Sequence, residues 1–163
     1  MNDSFDLLRE CRGRMVVVDT NILVLWMVGR TEVNFIQKFK RTQQFDDSDF
    51  NLLAKTLKVF SSVATTPNIL TEVSNLCGQM GEPARSLVFK TISEEIKLLG
   101  EHYLPSRDLT ESEDFLPLGL TDTAIARLGT ENRVILTDDW RAAGRLEARG
   151  AKVINFNHLR NYS

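Results

Sequence analysis

Histidine, cysteine and basic charge are scarce in this chain, and each scarcity sets aside a class of chemistry. Two histidines (His102 and His158) and two cysteines (Cys11 and Cys77) among 163 residues lie far from one another and form no ligand-spaced group. Zinc sites built from His and Cys are thereby excluded, and the cysteines fit idle, buried thiols in a reducing compartment. A formal net charge of -2 gives no global basic field, so a nucleic-acid partner would have to meet local basic patches. No apolar run approaches membrane-spanning length, and Asp6, Arg9 and Glu10 interrupt the start of the chain where a signal peptide would be apolar. The expectation is a cytoplasmic protein. Three phosphate and acyl signatures are missing as well: no Gly-x-Gly-x-x-Gly, no P-loop Gly-Lys-Ser/Thr and no Gly-x-Ser-x-Gly elbow occurs.

What is present is an ordinary globular composition, 42% hydrophobic and 26% charged. Without repeats, low-complexity tracts or linkers, it predicts one domain over residues 1–163. The stretch Met15 to Leu23 organises it. Three consecutive valines suit a strand buried on both faces, and the run stops on Asp19, followed by Thr20, Asn21 and a helical pattern. A short helix is expected before it, from Ser4 to Arg12, and the helix after Asp19 should end near Gly29. Thr31 to Thr42 reads as an amphipathic helix carrying Val33, Ile36 and Phe39 with Lys38, Lys40 and Arg41 on its flanks. A further helix opens at Asp46, Asp47 and Ser48.

Beyond it, Ser62 to Thr66 reads as a strand, and Thr66, Pro67 and Asn68 as the start of the next helix, with Glu72 in its first turns. Glu82 to Leu99 is predicted helical and Tyr103 to Leu109 extended. Leu118 to Asp122 lead into a helix, Arg133 to Thr137 form a strand that stops on Asp138 and Asp139, Trp140 to Arg149 form a helix, and Lys152 to Asn155 a last strand. Strand and helix alternate over short links, so the fold is α/β: a central, mostly parallel sheet flanked by helices in three Rossmann-like layers.

Acids stand at the ends of these elements. Singly, Asp19 and Asp122 read as helix caps, Asp138 and Asp139 as a turn, and Glu72 as a solvated helix residue. In a parallel sheet, however, strand ends and the starts of the following helices share one edge. Asp19, Glu72, Asp122, Asp138 and Asp139 are therefore expected to converge. Clustered carboxylates repel unless a cation joins them or their pKa values rise, and an all-oxygen set suits Mg²⁺ or Mn²⁺.

These same segments resemble the PIN-domain nucleases. Val-Val-Val-Asp19-Thr20-Asn21-Ile-Leu is similar to that family's opening motif. Glu72 in Thr-Pro-Asn-Ile-Leu-Thr-Glu-Val matches its second acid, Asp122 in Leu-Thr-Asp-Thr-Ala-Ile-Ala its third, and Thr137-Asp138-Asp139 its fourth. The family's pattern of Thr, any residue, then Asp favours Asp139 over Asp138 there. The stretch from Thr31 to Phe60 is longer than in many toxin-type members.

The resemblance implies a three-layer PIN-like fold and an endoribonuclease that hydrolyses RNA phosphodiester bonds with one or two Mg²⁺ or Mn²⁺ ions. Asp19, Glu72, Asp122 and Asp139 (or Asp138) would be the catalytic, metal-binding acids. Thr20, Asn21 and Thr137 would orient them by hydrogen bonds. It also implies the toxin of a toxin–antitoxin pair, a homodimer silenced by an antitoxin protein. The alternatives are a stand-alone RNA-processing or defence nuclease, or a non-catalytic PIN-like scaffold that binds RNA or protein. A haloacid-dehalogenase-type phosphatase wants Asp where this chain has Asn21. For RNA contacts, Arg141, Arg145 and Arg149 recur every four residues after Asp139 and would touch phosphates without reading sequence. Lys38, Lys40 and Arg41 are a second basic group.

Overall fold

The computed structural model describes residues 4–130 and 132–162. Strands β1 (Met15–Val18), β2 (Ser62–Thr65), β3 (Gly100–Glu101), β4 (Val134–Thr137) and β5 (Lys152–Asn155) form one sheet in the order β3-β2-β1-β4-β5. Every pairing is parallel, with Val17 opposite Ala64 on one side and Ile135 on the other. The valines explain why β1 is central. Successive strand residues point to opposite faces, and Val16, Val17 and Val18 are all buried, so both faces of the sheet are covered.

Nine helices among the described residues cover it: α1 (Ser4–Glu10), α2 (Thr20–Thr31), α3 (Asp47–Leu57), α4 (Pro67–Cys77), α5 (Ala84–Glu95), α6 (Ser106–Thr110), α7 (Phe115–Gly129), α8 (Trp140–Ala148) and α9 (Phe156–Asn161). Helix α2 packs against α3, α4 and α5, while α7 lies on β1 and β4 and α8 on β4 and β5. The chain order reverses between β1 and β4, and the acids that follow those two strands therefore flank the switch point, where open α/β sheets leave a crevice.

Several expectations are corrected. Helix α2 runs past Gly29 to Thr31. A side chain at Gly29 would collide with the Phe50 ring of α3, which explains the glycine better than a helix end does. The helix expected over Thr31 to Thr42 is absent. Glu32 is extended and caps a 3₁₀ turn at Val33–Phe35, after which the chain proceeds by further turns to Gln44. Its buried residues, Ile36, Phe39, Thr42 and Phe45, recur every third position, and backbone bonds join Thr42 N to Phe39 O and Phe45 N to Thr42 O. A period of three suits tight turns, whereas an α-helix needs 3.6.

Further along, the predicted helix to Leu99 stops at Glu95, passes through a 3₁₀ turn at Ile96–Leu98 and yields the unforeseen edge strand β3. Part of the expected extended run is helical too, as α6 starts directly after Pro105. Helix α9 was not legible either.

Helix α9 ties the irregular segment to the sheet. Arg160 grips Asp49 at both oxygens (2.7 and 2.8 Å), donates to the Gln44 carbonyl (2.9 Å) and sits over the Phe45 ring. Asp49 is buried, whereas the Arg9–Asp6 pair is exposed on both sides. Arg160→Ala should therefore cost about 3 kcal/mol in denaturant unfolding by stranding a buried carboxylate. Arg9→Ala should leave the unfolding midpoint unchanged.

Candidate acidic metal centre

Each acid arrives by a local rule. Asp19 ends β1 in extended conformation, and its Oδ1 accepts the Asn21 backbone N–H at 2.8 Å, capping α2. Asp138 and Asp139 end β4, and Asp139 caps α8 by accepting from Arg141 N (2.8 Å) and Ala142 N (3.1 Å). Glu72 lies in the second turn of α4, which Thr66 caps and Pro67 begins. Asp122 depends on a glycine. Gly119, at φ 78°, breaks α7, and Thr123 Oγ1 returns to its carbonyl at 2.6 Å, so a fresh helical turn starts just before Asp122.

The three polar residues expected to orient the acids each lie against one of them, with a different partner for each. Thr137 Oγ1 donates to Asp19 Oδ2 while accepting the Asp139 backbone N–H at 3.0 Å, linking both strand ends. Thr20 Oγ1 donates to Glu72 Oε2 (3.2 Å), and Thr121, which the sequence did not single out, donates to Glu72 Oε1 (2.8 Å). The Asn21 side chain bonds Asp138. Asn157 Nδ2 holds the Asp138 carbonyl (2.8 Å) and is itself held by Arg160 (3.1 Å), so α9 fixes the fourth position. Nothing in the sequence marks Asn157, because its role comes from a 19-residue separation closed only by β5.

The carboxylates are close enough to feel one another. Burial first, and then the Asp138 charge, push Asp19 up to about 7; Asp122 adds to this, while bonds from Thr137 and Asn21 oppose it. Asp122 is raised by burial, Glu72 and Asp139, and Asp138 by burial with a contribution from Asp139. Asp19 and Asp122 line one small hollow with Leu118, Ile135 and Thr137. Glu72 and Asp122 line an open cleft of about 490 Å³ with Pro67, Asn68, Thr71 and Leu118 to Thr121. Among the described residues no three Asp, Glu, His or Cys side chains are spaced to hold a metal ion as they stand. Two observations nonetheless fit a hard divalent cation. All the donors are oxygens, and Asp138 Oδ1 is a buried carboxylate oxygen with no hydrogen-bond partner.

The basic candidates divide. Arg141 and Arg145 are exposed on α8. Arg149 sits past the far end of that helix, about 13 Å along the axis from its start, and pairs with Asp114 at 2.9 Å. Lys38 and Lys40 line a separate hollow with Phe35, Phe39 and Met80, and Arg41 bonds Gln79. Cys11 and Cys77 are free and buried, and burial pushes Cys77 up to about 12, which leaves it unreactive.

The raised acid makes stability depend on pH. The folded chain keeps a proton on Asp19 up to about pH 7, while the unfolded chain releases it near 3.8. The fold therefore binds more protons between these values, and its stability falls as pH rises from about 4 to 7, by at most about 4 kcal/mol from this group. Urea unfolding in EDTA from pH 5 to 8 should show that fall, and Asp19→Asn should flatten it.

No family model and no curated protein matches the chain. Among solved structures it is similar to a domain of a functionally unknown protein from Methanocaldococcus jannaschii DSM 2661, at 20% identity over 88% of this chain and 91% of that one, with a TM-score of 0.40.

Proposed function

We propose that this protein is a PIN-type endoribonuclease that hydrolyses RNA phosphodiester bonds with Mg²⁺ or Mn²⁺ held at the acidic edge. The observation that carries the reading is the gathering of acids at one edge. Thr137 bonds Asp19, Thr20 and Thr121 bond Glu72, Asp122 lines the same cleft as Glu72, and Asp138 keeps a buried oxygen without a partner. Burial first, and then Asp138 and Asp122, push Asp19 up to about 7. A fold tolerates such crowding chiefly where a cation relieves it. Asp19, Asp122 and Asp138, the last with its unpartnered oxygen, would hold the ion, with Glu72 and Asp139 completing the set. Bound there, the ion lowers the pKa of a water and stabilises charge on the phosphate.

The chain's own residues have distinct parts. Thr137 steers Asp19, Thr20 and Thr121 fix both oxygens of Glu72, and Asn21 and Asn157 fix Asp138. The cleft beside Glu72 and Asp122 has room for a nucleotide. A non-catalytic scaffold is the second reading, favoured by one observation: Asp139 is engaged as the α8 cap.

Cleavage of single-stranded RNA in Mn²⁺ separates them. Asp19→Asn and Asp122→Asn should lose more than about 100-fold in rate, and Thr137→Val about 10–100-fold, with far-ultraviolet circular dichroism unchanged. No metal-dependent cleavage, or equal cleavage by wild type and Asp19→Asn, supports the scaffold.

A further inference from the structure

The chain has two tryptophans, and they are placed in opposite ways. Trp26 is half-buried, tilted against Phe50 at 5.7 Å, and its indole N–H donates to Glu95 Oε2 at 2.8 Å. Trp140 is 70% exposed at the first position of α8, directly after Asp139. Its Cα is therefore about 3.8 Å from that of an acid in the cluster. What sets this ring apart from the other exposed apolar side chains is its place beside the candidate site and a cation over its face. The guanidinium of Arg141 lies 5.2 Å from the ring centroid, and Arg145 follows one turn later. Among the described residues neither arginine has an ion-pair partner, whereas Arg149 at the far end is tied to Asp114. An aromatic face accompanied by unpaired cations is how proteins hold single-stranded nucleic acid: bases stack on the ring, and cations follow the phosphates.

We propose that Trp140, Arg141 and Arg145 form a platform for single-stranded RNA, with a base next to the scissile phosphate stacked on Trp140 and the adjoining backbone on the two arginines. This rests on the nuclease reading for the position of the scissile bond. The platform selects unpaired RNA, because a base inside a duplex offers no free face. Arg141 and Arg145 also offset the repulsion between the acids and an incoming phosphate.

The tryptophan pair supplies the test. A short oligoadenylate titrated in EDTA at low salt should quench the emission of wild-type protein and leave that of Trp140→Phe, which reports Trp26, unchanged. Trp140→Ala should weaken binding about tenfold or more, with Trp140→Phe in between. Arg141→Ala should weaken binding and reduce its salt dependence by about one counterion. Duplex RNA of the same length should give no quench. Equal affinity for wild type and Trp140→Ala, equal quenching by duplex, or no binding of the oligonucleotide overturns the platform. The two readings fail separately. Quenching without metal-dependent cleavage keeps the platform and removes the nuclease, while cleavage whose KM is indifferent to Trp140→Ala does the reverse. Since Trp140 makes little contact with the core, unchanged melting of these variants confirms that folding is not the cause.

Discussion

Like-charge repulsion at the carboxyl edge of a parallel sheet is the constraint on which the site depends. Four elements deliver acids to that edge because strand ends and helix starts meet there. Burial and mutual repulsion raise Asp19, Asp122 and Asp138 together. The fold holds this arrangement with hydrogen bonds directed at the carboxylates: threonines at positions 20, 121 and 137, the Asn21 backbone and side chain, and the Asp139-capped start of α8. The bonds from Thr137 and Asn21 favour the ionised form of Asp19, which burial and crowding oppose. The balance leaves Asp19 at about 7 and holds Asp122 and Asp138 above the usual carboxylate range.

The stabilising half of the molecule lies beneath that edge. The three valines of β1 are buried from both sides, and α2, which Asp19 caps, is almost entirely core, from Ile22 to Val28. One residue thus serves two demands, as helix cap and as member of the acidic cluster, and the same holds for Asp139. The Arg160 network anchors the long turn-rich segment and reaches the Asp138 carbonyl through Asn157. The most irregular stretch of chain is in this way fastened to the site it neighbours.

Legibility followed from how local each cause was. The strand through Val18 could be read from its own residues, as could the acids that close β1 and β4 and the Pro67 start of α4, because burial, capping and proline each act within a few positions. A mostly parallel sheet followed from alternation of elements, and the structure makes every pairing parallel. The turns from Val33 to Phe45 were misread because Val33, Ile36 and Phe39 satisfy a period of 3 and nearly satisfy 3.6, and only Thr42 and Phe45 continue the former. Edge strand β3 has two residues and exists by pairing with Ala64 and Thr65, a partner no local pattern names. Helix α9, Asn157 and Arg160 owe their place to contacts far off in sequence. Trp140 was in plain view beside the acids, but its exposure was not.

The central claim is that the acids at this edge share a divalent cation in place of a proton. Calorimetric titration of Mn²⁺ at pH 6, in two buffers of different ionisation enthalpy, measures binding and proton release at once. The account predicts saturable binding that releases about one proton per ion, a release that fades by pH 8.5 and is lost with Asp19→Asn. No saturable heat at millimolar Mn²⁺, or binding with the same proton count in wild type and Asp19→Asn, would contradict it.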